Sequence, residues 1–179
     1  MACAQARGRL FDETKSTRLK EAHMITEVIR ELDRRGLDYE LLPHPRTKTA
    51  RTEANAVGIA AREVAKTIVL TTDGGYVRAV VPASERLDLG KTRDLLDDRH
   101  SRLATEEELG AAYPAFELGA VPPFGGPSGD RVILDLGLAK LAEVVLEAGS
   151  HDQSVKMRTS DLLTLSGAEV ADISRLITR

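Results

Sequence analysis

Two strand-like runs around a glycine turn constrain the fold of this chain more than any other feature of its sequence. Residues 66–72 (KTIVLTT) and 76–82 (YVRAVVP) are rich in apolar and β-branched side chains, and the tripeptide Asp73-Gly74-Gly75 separates them. Such runs around a glycine-containing turn are a strong signal for a β-hairpin. The chain is therefore predicted to fold around a sheet with antiparallel pairing.

Strands and helices interleave over the rest of the chain. Apolar spacing and end signals predict helices at residues 17–35, 52–58, 90–97, 105–112 and 159–166. Further strands are predicted at residues 39–42, 132–136, 143–149 and 154–158. Because tight turns join several strands, we expect an α+β fold with a mixed, largely antiparallel, partly barrel-like sheet surrounded by helices. Residues 17–179 are predicted to form a single domain behind a flexible tail at residues 1–16.

Composition and charge narrow the classes of function. Of the 179 residues, 42% are apolar and 30% charged, and no run approaches the roughly 18 apolar residues of a membrane span. The N-terminus lacks the apolar core of a signal peptide, so a cytoplasmic location is expected. The net charge of −3 argues against a general DNA or RNA binder. Residues 44–66, however, carry five basic and two acidic side chains, which is typical either of a solvated face or of a site for one phosphate-bearing end.

Common catalytic motifs are missing from the sequence. Gly90-Lys91-Thr92 is similar to the end of a P-loop, but Glu85 stands where that motif needs a glycine. There is one cysteine, Cys3, and the four histidines have no metal-ligand spacing. Any reaction is therefore predicted to need neither metal, cofactor nor covalent intermediate. His44 and His151 lie in predicted loops, where histidines serve either a site or simply the surface.

Two local features are candidates for a site. Lys66 stands at the start of an apolar strand, as either a snorkelling edge residue or an anchor for a phosphate or carboxylate. The segment from Gly119 to Gly125 (GAVPPFG) lies in an irregular stretch, residues 113–130. A stiff loop with inward N–H groups can cradle an oxyanion or a carbonyl, although a structural turn explains the same residues.

Taken in order, five stretches of the chain resemble one family. They are HPRTKTARTEANAVGI, AKTIVL with Lys66, RLATEEEL, GAVPPFG and AGSHDQSVKMRTSDLLTLSGAEVADI, within residues 38–173. This pattern is similar to the YbaK/ProX family, the prolyl-tRNA synthetase-associated editing domain. The resemblance implies a mixed sheet wrapped by helices and hydrolysis of the ester between a wrong amino acid and the 3′ end of its tRNA.

The resemblance also implies roles for individual residues. Lys66 would hold the phosphate or ribose of the terminal nucleotide, and the loop from Gly119 to Pro123 would place the carbonyl and the α-amine of the substrate. Gly149 and Ser150 would line the amino-acid pocket. The residues expected to act in catalysis are Lys66, Gly119 and Gly149, and those expected to bind substrate are Thr49, Val121, Pro123, Ser150 and His151.

The implied partner is a mischarged tRNA, bound through its 3′ acceptor end. Because this sequence carries no synthetase domain, the resemblance implies action in trans, with a synthetase as a candidate partner. Alanine, serine, cysteine and threonine are the amino acids expected to be removed, although Pro122 replaces a common threonine and leaves the choice open. The alternatives are a catalytically inactive tRNA- or protein-binding module of the same fold, and a deacylase for another small ester or amide.

Overall fold

The computed structural model of the chain describes residues 26–126 and 129–177. Its helices are α1 (Glu27–Arg35), α2 (Ala50–Val57), α3 (Leu89–Leu96), α4 (Glu106–Ala112), α5 (Leu136–Ala139) and α6 (Thr159–Ser166). Its strands are β1 (Tyr39–Pro43), β2 (Val64–Thr72), β3 (Gly75–Pro82), β4 (Glu85–Leu87), β5 (Arg102–Leu103), β6 (Arg131–Asp135), β7 (Glu143–Ser150), β8 (Gln153–Arg158), β9 (Glu169–Ala171) and β10 (Ser174–Leu176). Two predicted features lie outside the described residues: the tail, which contains Cys3, and residues 17–25 of the first helix, which contain His23.

The main sheet is mixed and contains eight strands. Seven of them follow the order β1-β8-β7-β2-β3-β6-β9, and β5 also pairs with β2. The pairs β1–β8, β7–β8, β2–β3 and β2–β5 are antiparallel, whereas β2–β7, β3–β6 and β6–β9 are parallel. The end strands β1 and β9 do not pair with each other within the described ranges, so the sheet is open by hydrogen bonding. The predicted α+β class and largely antiparallel sheet are confirmed.

The predicted hairpin forms the centre of the sheet. Strands β2 and β3 pair from Ala65 opposite Pro82 to Thr72 opposite Gly75. Helix α1 packs Val28 and Leu32 into the largest apolar cluster, which also contains side chains of β2, β7 and β8. These two helix residues are four positions apart, so they lie on one face of α1. Within the described residues, no helix is both long enough and apolar enough to cross a bilayer.

Some predicted element boundaries differ from the structure, and the differences have local causes. Helix α1 begins at Glu27, because Thr26 is extended and its side chain accepts the amide of Ile29, whereas the predicted start at residue 17 lies outside the described residues. Helix α2 begins at Ala50 rather than at residue 52, because Thr49 and Thr52 form a capping box. Strand β2 begins at Val64, two residues before the predicted start. Helix α5 and the short strands β4, β5, β9 and β10 were not predicted, since two to four residues carry too little periodicity.

Candidate active site

One cavity brings together most of the residues that the sequence singled out. Its volume is about 240 Å³, and it lies among the start of α2, strands β2 and β7, and the irregular segment before β6. Six of the eight predicted site residues line it: Thr49, Lys66, Gly119, Val121, Pro123 and His151. A larger cavity of about 540 Å³ lies beside α1, and of the predicted site residues only Pro123 reaches it.

Lys66 enters the cavity from the central hairpin. Its side chain is half-buried, and its ammonium group donates a hydrogen bond to the backbone carbonyl of Glu85. Burial lowers the pKa of Lys66, and the positive charges of Arg51 and Arg86 lower it further. Lys48 also lines the cavity, so two lysines contribute positive charge to its lining. An anionic group of a ligand would therefore be attracted to it.

Thr49 lies in the cavity lining but already has a structural task. Its hydroxyl oxygen accepts the amide of Thr52 at 3.2 Å and lies 3.0 Å from the hydroxyl oxygen of Thr52. It is the N-cap of α2, and the N-terminal end of a helix carries a partial positive charge. In any contact of Thr49 with a ligand, the hydroxyl group that caps α2 would also have to bind the ligand.

The segment from Gly119 to Pro123 is held in place by its backbone conformation and by a contact with β3. Gly119 has a φ of +88°, a left-handed conformation that favours glycine. A Cβ there would meet the His151 ring at 3.5 Å, an ordinary contact, so the backbone angle rather than space requires the glycine. Val121 is buried, and the carbonyl of Pro122 accepts a hydrogen bond from the guanidinium of Arg78 at 2.9 Å.

Gly149 and Ser150, the predicted lining of the amino-acid pocket, are not among the residues that line this cavity. A Cβ at Gly149 would lie 2.8 Å from the Phe116 ring, and Gly149 has a φ of +91°. The hydroxyl of Ser150 donates to the carboxylate of Asp152 at 2.8 Å. The two residues therefore shape the bend between β7 and β8 that carries His151 towards the cavity.

His151 is held by both of its ring nitrogens. Nδ1 lies 2.8 Å from Oε1 of Glu147, and Nε2 lies 2.7 Å from the carbonyl oxygen of Leu118. Burial lowers the pKa of His151, but the hydrogen bonds to Glu147 and Leu118 and the nearby carboxylates outweigh it, so the pKa is raised. Because a carbonyl only accepts, Nε2 carries a proton, and the ring has no free nitrogen to act as a base.

Glu53 is the site residue that the sequence reasoning missed. It lies on α2 with no exposed surface, and it lines the cavity. Its Oε1 accepts a hydrogen bond from the Ser154 hydroxyl at 2.5 Å, and Nε2 of His44 lies 2.9 Å from the same hydroxyl. Its Oε2 is buried without a partner in the described structure. The one signal for Glu53 in the sequence was the position of its carboxyl group beside Ala54, on the face of the helix that is buried.

Burial raises the pKa of Glu53 to about 7; the hydrogen bond from Ser154 opposes this rise, and the charge of Glu147 adds to it. Burial also raises the pKa of Glu147, against the lowering effect of His151. We call Glu53 and Glu147 the acidic floor of the cavity. A cavity lined by lysines and by an acidic floor suits a small ligand that bears both signs of charge.

Possible metal ligands come together elsewhere. Among the described residues, Asp73, Asp98 and His100 could each offer a ligand atom. The Asp98 carboxylate already accepts the backbone amides of Asp73, His100 and Ser101. None of these residues lines the cavity, so they do not contribute to its chemistry.

Fold and site together define a small α+β domain with a cavity of charged lining between a helix start, a central hairpin and the segment from Gly119 to Pro123. The profile of the aminoacyl-tRNA editing domain matches residues 44–165. This match covers more than half of the chain, and the chain belongs to that family. The predicted family and the predicted class of reaction, the editing of aminoacyl-tRNA, are thereby confirmed.

Individual relatives agree with this assignment. The chain is 24% identical over 149 residues to the multifunctional Ser/Thr-tRNA deacylase ProXp-y of Escherichia coli, covering 80% of this chain and 89% of that protein. It is 32% identical over 114 residues to a proline–tRNA ligase of Xanthomonas oryzae pv. oryzae. This match covers 60% of this chain and 19% of the ligase. A crystal structure described as a candidate trans-editing enzyme for prolyl tRNA synthetase superposes with a TM-score of 0.76 and 32% identity, covering 83% of this chain and 95% of that one.

Proposed function

We propose that this chain acts in trans on a mischarged tRNA and hydrolyses the ester between a small amino acid and the terminal adenosine. The observation that carries the proposal is the mixed charge of the cavity lining, which contains Lys66 as well as the two carboxyl groups of the acidic floor. The aminoacylated terminal nucleotide of a tRNA has matching charges, since its 5′-phosphate is anionic and the α-amine of its amino acid is cationic. The Escherichia coli relative, named as a Ser/Thr-tRNA deacylase, supports the same chemistry.

Each side of the cavity has a role in this proposal. Lys66 holds the terminal phosphate or ribose, and the backbone from Gly119 to Pro123 receives the ester carbonyl. Backbone N–H groups fixed before the reaction stabilise the charge that develops on a carbonyl oxygen. Gly149 and Ser150 act indirectly, by setting the bend that carries His151. The attacking water is positioned by the site and assisted by the 2′-hydroxyl of the substrate.

The size of the cavity favours small amino acids. A volume of about 240 Å³ corresponds to about eight water molecules of the liquid. That space suits alanine, serine, cysteine or threonine together with part of the ribose. Only the 3′ acceptor end of the tRNA enters it, and a synthetase that supplies the mischarged tRNA is the proposed protein partner. The cytoplasm is the proposed location of this activity, because such a substrate is used in translation there.

A deacylation panel tests the proposal. Purified protein is mixed with tRNAs charged with alanine, serine, cysteine, threonine or a large residue such as phenylalanine, and the loss of the ester is followed. We expect turnover for at least one small amino acid and none for phenylalanine. Tight binding of tRNA without turnover would instead identify the inactive binding module, and cleavage of free aminoacyl esters at the same rate would identify a general esterase.

A further inference from the structure

Charges on the acidic floor do not balance in the described structure. Glu147 is paired with His151, whose Nδ1 lies 2.8 Å from its Oε1. Because the second nitrogen of His151 donates to the carbonyl of Leu118, the ring is anchored beside Glu147. Glu53 forms no ion pair with any of the described residues. Lys66, which lines the same cavity, donates to the carbonyl of Glu85 instead.

The two carboxylate oxygens of Glu53 have different surroundings. Oε1 is fixed by the Ser154 hydroxyl at 2.5 Å, and His44 fixes that hydroxyl in turn through Nε2 at 2.9 Å. Nδ1 of His44 lies 2.9 Å from the carbonyl oxygen of Pro45, which locks the imidazole. This chain of contacts orients the carboxyl and leaves Oε2 buried, unpartnered and beside the cavity. A buried acceptor without a partner is stabilised by any hydrogen-bond donor that reaches it, and most strongly by a donor with a positive charge.

We infer that the acidic floor is a subsite for the protonated α-amino group of the substrate, which makes the protein prefer substrates with a free amine. The inference rests on the proposed function and extends it. One positive charge neutralises the floor, and its N–H groups satisfy Oε2 of Glu53 and the outer oxygen of Glu147. The Glu147 side chain is 15% exposed and meets the amine first, whereas Glu53, with no exposed surface, meets it only when the ligand fills the cavity.

A matched pair of substrates tests the inference. Alanyl-tRNA and lactyl-tRNA differ only in an ammonium group and a hydroxyl group of the same size, and each rate is divided by that of uncatalysed hydrolysis. We expect the wild-type protein to prefer the amine by about 10- to 100-fold in kcat/KM, the usual effect of a buried charge-assisted contact. Glu53→Gln should bring this ratio near one by slowing only the alanyl substrate. The control Glu143→Gln changes an exposed carboxyl paired with Lys156 and should keep the preference.

Two outcomes would overturn the inference: equal cleavage of both substrates by the wild type, or equal slowing of both by Glu53→Gln. A binding measurement separates it from the proposed function. Non-hydrolysable amides of 3′-amino-3′-deoxyadenosine with alanine and with lactic acid are titrated into the protein by calorimetry. A preference for the alanine amide that is lost in Glu53→Gln supports the amine subsite even if no tRNA is deacylated, in which case only the proposed function fails. Equal affinities for the two amides refute the subsite.

Discussion

Burial alters the pKa of two charged side chains in the cavity lining, Glu53 and Lys66. Removal from water raises the pKa of Glu53 to about 7 and lowers the pKa of Lys66. Both shifts bring the group closer to neutrality, because a low-dielectric surrounding disfavours the charged form. A ligand of the opposite charge reverses each effect. The two residues are therefore less costly to ionise when substrate is bound than when the cavity is empty.

Replacing Lys66 with alanine is expected to slow deacylation by about 10- to 100-fold. The lost interaction is a charge-assisted contact with the substrate, worth about 1.5–3 kcal/mol. The rate constants with mischarged tRNA and the thermal midpoint are both measured, and the midpoint should change little because the side chain is only half-buried. Lys91→Ala, which removes a surface lysine paired with Asp172, is the matched control. Wild-type rates in Lys66→Ala would contradict the assignment.

Replacing Glu53 with glutamine is expected to stabilise the protein above pH 7 and not below about pH 4.5. The folded-state pKa, about 7, lies above the ordinary value of 4.5, so the folded protein holds the proton more tightly than the unfolded chain. Wild-type stability is therefore lost as the pH rises from 4.5 through 7, by up to about 3 kcal/mol. Thermal unfolding of both proteins between pH 4.5 and pH 8 measures the difference. A difference in stability between the two proteins that does not change with pH would show that the pKa of Glu53 is not shifted.

A buried ion pair connects the two ends of the irregular segment that carries the loop. Arg78 on β3 lies 2.8 Å from Asp130, which also accepts the Tyr113 hydroxyl at 2.8 Å. The same guanidinium donates to the carbonyl of Pro122 and lies over the Tyr113 ring at 4.9 Å. One side chain thus contacts the start, the middle and the end of this segment. In the described part of the segment, this side chain acts together with the hydrogen bond from the amide of Glu117 to the carbonyl of Gly149 on β7.

Arg78→Met is expected to lower the free energy of unfolding by about 3–5 kcal/mol, because it leaves Asp130 as a buried charge without its partner. Deacylation should fall even at temperatures where the protein stays folded, since Pro122 loses its anchor. Denaturant unfolding and kinetics at low temperature measure the two effects.

Arg131→Met is the control for this change, because its ion pair with Glu169 is exposed. The Arg131 side chain is 45% exposed and the Arg78 side chain 2%, so the control should cost at most about 1 kcal/mol. Equal losses in the two variants would mean that Arg78 does not hold the loop.

At the scale of the whole molecule, the residues that line the described cavity include no cysteine, no serine and no imidazole with a free nitrogen. Both nitrogens of His151 and of His44 lie against hydrogen-bond partners. We therefore expect hydrolysis to depend on the terminal ribose of the substrate. Replacing its neighbouring hydroxyl with hydrogen should slow the reaction by about 10²-fold, the usual effect of losing acid–base assistance.

The same assay with a chelator should give an unchanged rate. Inhibition that added zinc reverses would establish a metal requirement and direct attention to sites outside the cavity. A deoxy substrate cleaved at the normal rate would instead direct attention to Glu53 as the base.

The sequence was a good guide wherever the signal is local. The hairpin of β2 and β3 follows from β-branched runs around Gly74 and Gly75, and the order of helices and strands follows from periodicity. The family resemblance rested on short stretches in order, and six of its eight residues line one cavity. Gly149 and Ser150 do not, because the bulge in β7 turns them towards Phe116 and Asp152. Nothing in the neighbouring residues encodes that direction.

What the sequence determined by itself is therefore the set of elements, the family and the residue types available for chemistry. The tertiary structure alone decided which of them meet. Glu53 and Ser154 are 101 positions apart, and Arg78 and Pro122 are 44 apart, yet each pair is joined by a hydrogen bond. Local periodicity reports which face of an element is buried, but not what lies against it. The polarity of the cavity comes from such long-range contacts, because the burial that shifts the pKa of Glu53 exists only after strands from both halves of the chain have assembled.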